Sequence, residues 1–234
     1  MGSMIEIETL AQDGKFNAYC ARPANTPKAA IVVIQEIFGV NPGIRAKCDS
    51  WAEEGYLAFA PDLFWRIQED VQLDPDIPED FQQAIELMGK FNGDIGISDI
   101  EATIRAARAQ LGDAHGKVGA VGYCLGGRLA YLTAARSDIN ATVAYYGVGI
   151  NTLLGESHAI AHPLMLHIPT ADHFVGPEAQ QAIHAGLDSH DKVVIHDYPG
   201  LDHGFAAEMG NRRNEAGAAL ADGRTSAFFA EHLK

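Results

Sequence analysis

Lys117-Val118-Gly119-Ala120-Val121-Gly122-Tyr123-Cys124-Leu125-Gly126-Gly127 is the stretch whose reading decides the fold. Its first half is a short apolar run, the pattern of a strand covered on both faces. Its second half has the form G-x-C-x-G and leads straight into a helical pattern. A residue with glycine two places before and two places after it can sit on a sharp strand-to-helix turn with strained dihedrals, because the positions that would collide carry no large side chain. Such a turn thrusts the Cys124 side chain out at the top of a sheet. The next helix then directs its first N–H groups and the positive end of its dipole at the sulfur, which favours a thiolate and later an oxyanion. The N–H of Leu125 is the natural first donor to that oxyanion. The competing reading is a buried cysteine in a glycine-rich turn; the strand before and the helix after weigh against it.

Working outward, short apolar runs alternate with helical patterns, which predicts an α/β fold with a mainly parallel sheet. Met4 to Leu10 and Phe16 to Arg22 read as an opening pair of strands joined by a turn at Asp13-Gly14. Ala30 to Gln35 and Leu57 to Ala60 read as buried strands with an amphipathic helix, Gly43 to Gly55, between them. Phe64 to Pro78 lacks periodicity and is expected to be a loop or lid. Helices are expected near Glu79 to Asn92 and Ile95 to Leu111, and the last at Asn214 to Leu233. Ala141 to Tyr146, Pro163 to Ile168 and Val193 to Tyr198 complete a sheet of about eight strands.

A thiol nucleophile needs a base. On sheets of this kind the partners follow the nucleophile in the order acid, then histidine. His203 lies in Gly200-Leu201-Asp202-His203-Gly204-Phe205, a loop after the last apolar run, where such a base belongs. His115, His184, His190 and His232 read as helix or surface positions. Asp172, just after the strand Pro163 to Ile168, can accept from the far nitrogen of His203 and fix its tautomer. Two alternatives stay open: Asp172 as a turn or helix-cap residue ahead of Pro177, and Asp202 as the orienting acid. His158, His162, His167 and His173 form a weaker, metal-binding alternative, since Pro163 breaks the helix that their spacing needs.

The 31 acidic residues outnumber 17 basic ones, for a net charge of -14. Such a surface repels phosphate backbones and anionic lipid, so neither a nucleic acid nor a membrane is an expected partner. No apolar run approaches the roughly 18 residues of a membrane helix. Three cysteines, Cys20, Cys48 and Cys124, make no disulfide framework and fit a reducing, cytoplasmic compartment. Residues 1–3 read as an expression scar before Met4, and 4–234 as a single domain, a monomer or weak homodimer.

With these residues placed, the chain resembles the dienelactone hydrolase family (carboxymethylenebutenolidases), a branch of the α/β-hydrolases. The resemblance extends over nearly the whole length. Its most specific pieces are Gln35-Glu36-Ile37-Phe38-Gly39-Val40-Asn41, Val121 to Gly127, Tyr145-Tyr146-Gly147-Val148-Gly149, Asp172-His173-Phe174-Val175 and Asp202-His203-Gly204-Phe205. It implies an α/β-hydrolase fold with Cys124, Asp172 and His203 as a triad. It implies that Glu36 interacts with the resting thiol, and that the N–H of Ile37 is the second oxyanion donor. It also exposes departures. Two arginines that grip a substrate carboxylate in the family are replaced here by Phe81 and Ala207, and two pocket aromatics by Ile85 and Met88.

The resemblance implies acyl transfer from an ester or lactone through Cys124, with no metal or organic cofactor. A pocket of Phe38, Phe81, Ile85, Met88 and Phe205 is expected to prefer an apolar substrate to a carboxylated one, since neither Phe nor Ala imitates a guanidinium fork. Arg66, Arg212 or Arg213 could compensate. Thioester cleavage by the same triad, and a non-catalytic sensor on the same fold, are the alternative functions.

Overall fold

Strand β3 (Ala30–Ile34) is buried along its whole length, and its alternate residues serve two different cores. Ala30, Val32 and Ile34 pack with Phe59, Ile100 and Leu129 on one side of the sheet. Ile31 and Val33 pack with Trp51, Tyr145 and Phe229 on the other. This is the period-2 consequence of a strand covered on both faces. The computed structural model describes residues 2–112 and 116–234. Met1, part of the expected scar, and His115 lie outside the described residues.

The sheet has eight strands in the order β1-β2-β4-β3-β5-β6-β7-β8. β1 (Ser3–Glu8) and β2 (Lys15–Ala21) form the expected antiparallel hairpin, and β2 joins β4 (Leu57–Pro61) antiparallel. The remaining pairs are parallel, through β5 (Val118–Tyr123), β6 (Ala141–Tyr145), β7 (Leu164–Pro169) and β8 (Val193–Tyr198). Ser3 pairs with Cys20 at the sheet edge, so a residue expected to be foreign to the domain is nonetheless seated in it.

α1 (Pro42–Glu53) and α6 (Glu215–His232) cover one face with Trp51, Phe228 and Phe229. α3 (Gly93–Leu111), α4 (Leu125–Arg136) and α5 (Pro177–Leu187) cover the other with Ile100, Leu129 and Ile183. α2 (Pro78–Lys90) precedes α3 and buries Ala84 and Leu87. α5 has no counterpart among the expected helices, apart from the capping alternative at Pro177. It buries only Ile183 and Leu187, too few apolar positions to produce a periodic signal.

Phe64 to Ile77 forms no helix or named strand, as expected of a loop, with Pro78 already the first residue of α2, but the loop is anchored. Phe64, Val71 and Leu73 are buried, and Leu73 N–H donates to Phe38 O at 3.0 Å. Asp62 accepts from the N–H groups of Phe64 and Asp70 at 3.1 and 2.8 Å.

The chain order decides where a site can form. β3 connects leftward to β4, while β5 starts the rightward run β6-β7-β8, so the strand order reverses between β3 and β5. A crevice opens above the carboxyl ends of two such strands. Glu36 follows β3 and Cys124 follows β5. α4 crosses this point at backbone contact. A Cβ on Gly122 would lie 1.9 Å from Gly126 O, and one on Gly126 would lie 2.3 Å from Ile34 O.

Neither obstacle is a side chain that can swing aside. Gly126→Ala is therefore expected to cost about 2–3 kcal/mol through forced backbone shifts. The melting temperature should fall by on the order of 5–10 °C for a domain of this size. Gly89→Ala, whose Cβ would meet nothing within 4 Å, serves as the control and should stabilise or do nothing. Thermal and urea unfolding of the two variants measures the contrast.

Candidate active site

Cys124 has φ 56° and ψ -113°, a conformation that L residues other than glycine rarely adopt. Three backbone hydrogen bonds hold it there. Its N–H donates to Tyr145 O at 3.1 Å, and its carbonyl accepts from Arg128 N at 3.1 Å and Val148 N at 3.4 Å. The residue is pinned between the end of β6 and the first turn of α4, with a free, partly exposed thiol. Beside it, the N–H groups of Leu125 and Ile37 have no hydrogen-bond acceptor among the described residues. Leu125 begins α4, and a helix leaves its first N–H groups unpaired in this way, ready for an anion; Ile37 lies in the turn after β3.

His203 lies in the loop after β8, next to Gly204, whose φ is 78°. Its Nδ1 and Asp172 Oδ2 are 2.9 Å apart, and both side chains are buried. The other carboxylate oxygen of Asp172 accepts from Phe174 N at 2.8 Å and Val175 N at 3.0 Å. The two readings of Asp172 are thus both realised, one on each oxygen: it caps a turn and it holds the imidazole. Asp202 takes neither place. It accepts from the backbone N–H of His203 at 2.7 Å and lies 2.7 Å from the ring of His173, not that of His203.

Two aromatic rings clamp the imidazole edgewise. Tyr146 stands 4.9 Å from it at 60° and Phe174 4.8 Å at 75°. His203 Nε2 has no hydrogen-bond partner among the described residues. The imidazole and Cys124 line one cavity of about 90 Å³, close enough for the sulfur to act on the ring. Burial pulls the imidazole towards neutrality. The bond to Asp172 and the proximity of Cys124 outweigh it, and the pKa is pushed up to about 10.

Glu36 sits half-buried on the same wall. Burial raises its pKa, while His203, Arg212, Lys47 and the Tyr146 hydroxyl pull the other way. It lines the same cavity as Cys124, and no hydrogen bond joins the two side chains among the described residues. Tyr146 is buried, takes φ 39° and has no partner within hydrogen-bond geometry for its hydroxyl among the described residues. Sequence reasoning gave no role to Tyr146 or Phe174, because neither a positive φ nor a ring packed on His203 leaves a mark in spacing.

Phe38, Phe81, Ile85 and Met88 line the cavity as expected. Phe205 does not. It is 1% exposed and lies in the core against Tyr145, Tyr146 and Tyr198, because Gly204 turns the chain inward after His203. Of the three arginines, Arg66 pairs with buried Asp99, and Arg213 with Glu208 and Glu215. Arg212 alone of the three reaches the cavity wall, against the rings of Phe81 and Phe174. His167, from the metal-binding alternative, is sealed in the core between Tyr198 and Thr225. Among the described residues, the one trio within metal-ligand reach is Asp172, His173 and Asp202. Its atoms already serve the hydrogen bonds above. No helix among the described residues is long and apolar enough to cross a membrane.

The imidazole yields a pH prediction. Its folded pKa lies above the unfolded value of about 6.5. The stability this arrangement contributes is therefore complete below about pH 6.5 and lost as pH rises through about 10. NMR titration should find the His203 ring still protonated at about pH 8 in the wild type. Its pKa should move down in Cys124→Ser and in Asp172→Asn; an unmoved titration contradicts the coupling.

Comparison with known proteins gives a consistent picture. The pattern of the Dienelactone hydrolase family matches residues 16–233. A provisionally assigned carboxymethylenebutenolidase of Azospirillum brasilense is 44% identical, covering 94% of this chain and 95% of that protein. The carboxymethylenebutenolidase of Pseudomonas putida is 39% identical, covering 96% and 95%. Among solved structures, a provisionally assigned dienelactone hydrolase from Klebsiella pneumoniae subsp. pneumoniae superposes with a TM-score of 0.84. It is 30% identical and covers 99% of each chain.

Proposed function

The chain belongs to the dienelactone hydrolase family, hydrolases of ester or lactone bonds, and from that premise we propose that it works by acyl transfer to Cys124. The observation that carries this reading is the buried Asp172–His203 pair, whose outer nitrogen is left unpartnered beside the cavity that Cys124 lines.

The thiolate attacks the carbonyl carbon, and the carbonyl oxygen becomes an oxyanion. The unpaired N–H groups of Leu125 and Ile37 are the donors for it, worth most where water is excluded. Collapse breaks the carbon–oxygen bond of the ester. The leaving oxygen takes the proton from His203 Nε2, and a thioester remains on Cys124. His203, now neutral, removes a proton from water as the water attacks the thioester, and the thiolate returns. Asp172 keeps the tautomer and steadies the imidazolium in both halves. Glu36 acts on the resting site through its charge: it lies near His203 and Arg212, and its own ionisation is held back by burial.

The preference of this cavity differs from one that grips a carboxylate with two arginines. Phe81 and Ala207 line its wall, and Phe38 and Phe81 pack 5.9 Å apart across it. Arg212 offers one guanidinium, about 6 Å from the rings of Phe81 and Phe174. The cavity suits an apolar lactone, or the apolar alcohol half of an ester.

Two measurements test this. Cys124→Ala should lower turnover of an aryl ester by at least about 10³-fold with folding intact, and mass spectrometry of the wild type should find the acyl group on Cys124. An acyl group on another residue, or undiminished turnover, sinks the mechanism. Aryl esters with and without a carboxylate on the alcohol half should differ by less than about tenfold in kcat/KM, one guanidinium being a weaker grip than a fork. A hundredfold preference for the carboxylated ester overturns the proposed preference.

A further inference from the structure

Cys124 stands between two spaces. One is the cavity already described. The other is an open groove of about 560 Å³, bounded by the start of α3 and the outer face of α4. Cys124, Met88 and Val148 line both. His203 lines only the cavity, whereas Leu125 and Arg128 line only the groove.

This division sorts the two halves of an ester. The leaving oxygen must be protonated as it departs, and the proton comes from His203. The alcohol half therefore belongs on the cavity side. The acyl half, attached to the same carbonyl carbon, is directed to the other side of Cys124.

The groove is apolar along Leu129, Leu132 and Leu153, with two arginines at its edge. Arg136 is taken up by Asp94 and Glu156, at 2.7 and 2.6 Å. Arg128 is different. It is half-buried, yet its side chain makes no hydrogen bond or ion pair among the described residues, in a chain with 31 acidic and 17 basic residues. Its guanidinium lies against Gly149, where an added Cβ would come within 2.9 Å of Nη1. Gly149 has φ 81° as well, so the backbone there favours the residue that leaves this space open.

We propose that the groove is an acyl subsite in which Arg128 takes an anionic group at the far end of the acyl chain, so that half-esters of dicarboxylic acids are substrates. The proposal rests on the reading of Cys124 as nucleophile and His203 as acid. Residues 124 and 128 are about one helical turn apart, roughly 6 Å along the axis. An acyl chain of roughly four methylenes spans a similar length.

The test compares the mono-p-nitrophenyl ester of adipic acid with p-nitrophenyl hexanoate, which share the leaving group and the chain length. Wild-type kcat/KM should favour the adipate ester about tenfold, mostly through KM, as a charge-assisted hydrogen bond does. Arg128→Met should erase most of that ratio. Arg128→Lys should restore part of it, since a point charge attracts without the fork. As a check that needs no variant, adipate should compete with substrate more strongly than hexanoate does. A wild-type ratio of one or less, or a ratio that Arg128→Met leaves unchanged, overturns the subsite. If hexanoate is cleaved through Cys124 without preference for adipate, the subsite alone fails. If neither ester is cleaved, or Cys124→Ala cleaves both, the mechanism fails and the subsite with it.

Discussion

Everything at this site depends on how closely α4 passes over the ends of β3 and β5. At Gly122, Gly126 and Gly127 the nearest atoms to an added Cβ are backbone atoms, 1.9 to 2.5 Å away. Only at such separations can a single residue, Cys124, join the end of a buried strand to the start of a helix. The strain of Cys124 is part of the same constraint. Its backbone takes a positive φ because the bonds to Tyr145, Arg128 and Val148 leave it no other place. Strain of this kind costs of order 1–3 kcal/mol and persists only where its surroundings over-determine it.

Opposed forces set the charge on His203. Burial disfavours an imidazolium, and Asp172 together with Cys124 favours it. The second pair of forces wins because Asp172 is itself prepared. Two amide N–H groups hold one of its oxygens, so the other points at Nδ1 without rearrangement. Tyr146 and Phe174 pack edgewise on the ring and restrict its plane. Preorganisation of this sort lets a proton move at the moment of reaction with little else having to move.

Behind the site, polar groups tie the sheet to α6. His167 bridges the hydroxyls of Tyr198 and Thr225, and Tyr145 bonds Thr225 and Asp222. Lys47 completes the set, bonded to Asp222 and Glu208. Burial lowers the pKa of His167 well below the usual range, so it joins this network as a neutral ring. A buried network with every member satisfied confers rigidity. This one lies beneath Tyr146 and the His203 loop.

The sequence by itself determined the strand–turn–helix at Cys124, the alternation of strands and helices, and the chain order of Asp172 and His203. Each rests on local rules: glycine at close approaches, apolar periodicity, loops after strands. It missed α5, where two apolar positions are too few to show a period. It placed Phe205 in the pocket because spacing cannot tell which way a chain turns after a glycine. Tertiary structure alone decided that Asp172 rather than Asp202 meets the imidazole, that Glu36 shares a wall with His203 and Arg212, and that Arg212 rather than Arg66 or Arg213 lines the cavity. Those outcomes depend on side chains from distant elements meeting in three dimensions, and the energy of such a meeting is written in no short segment.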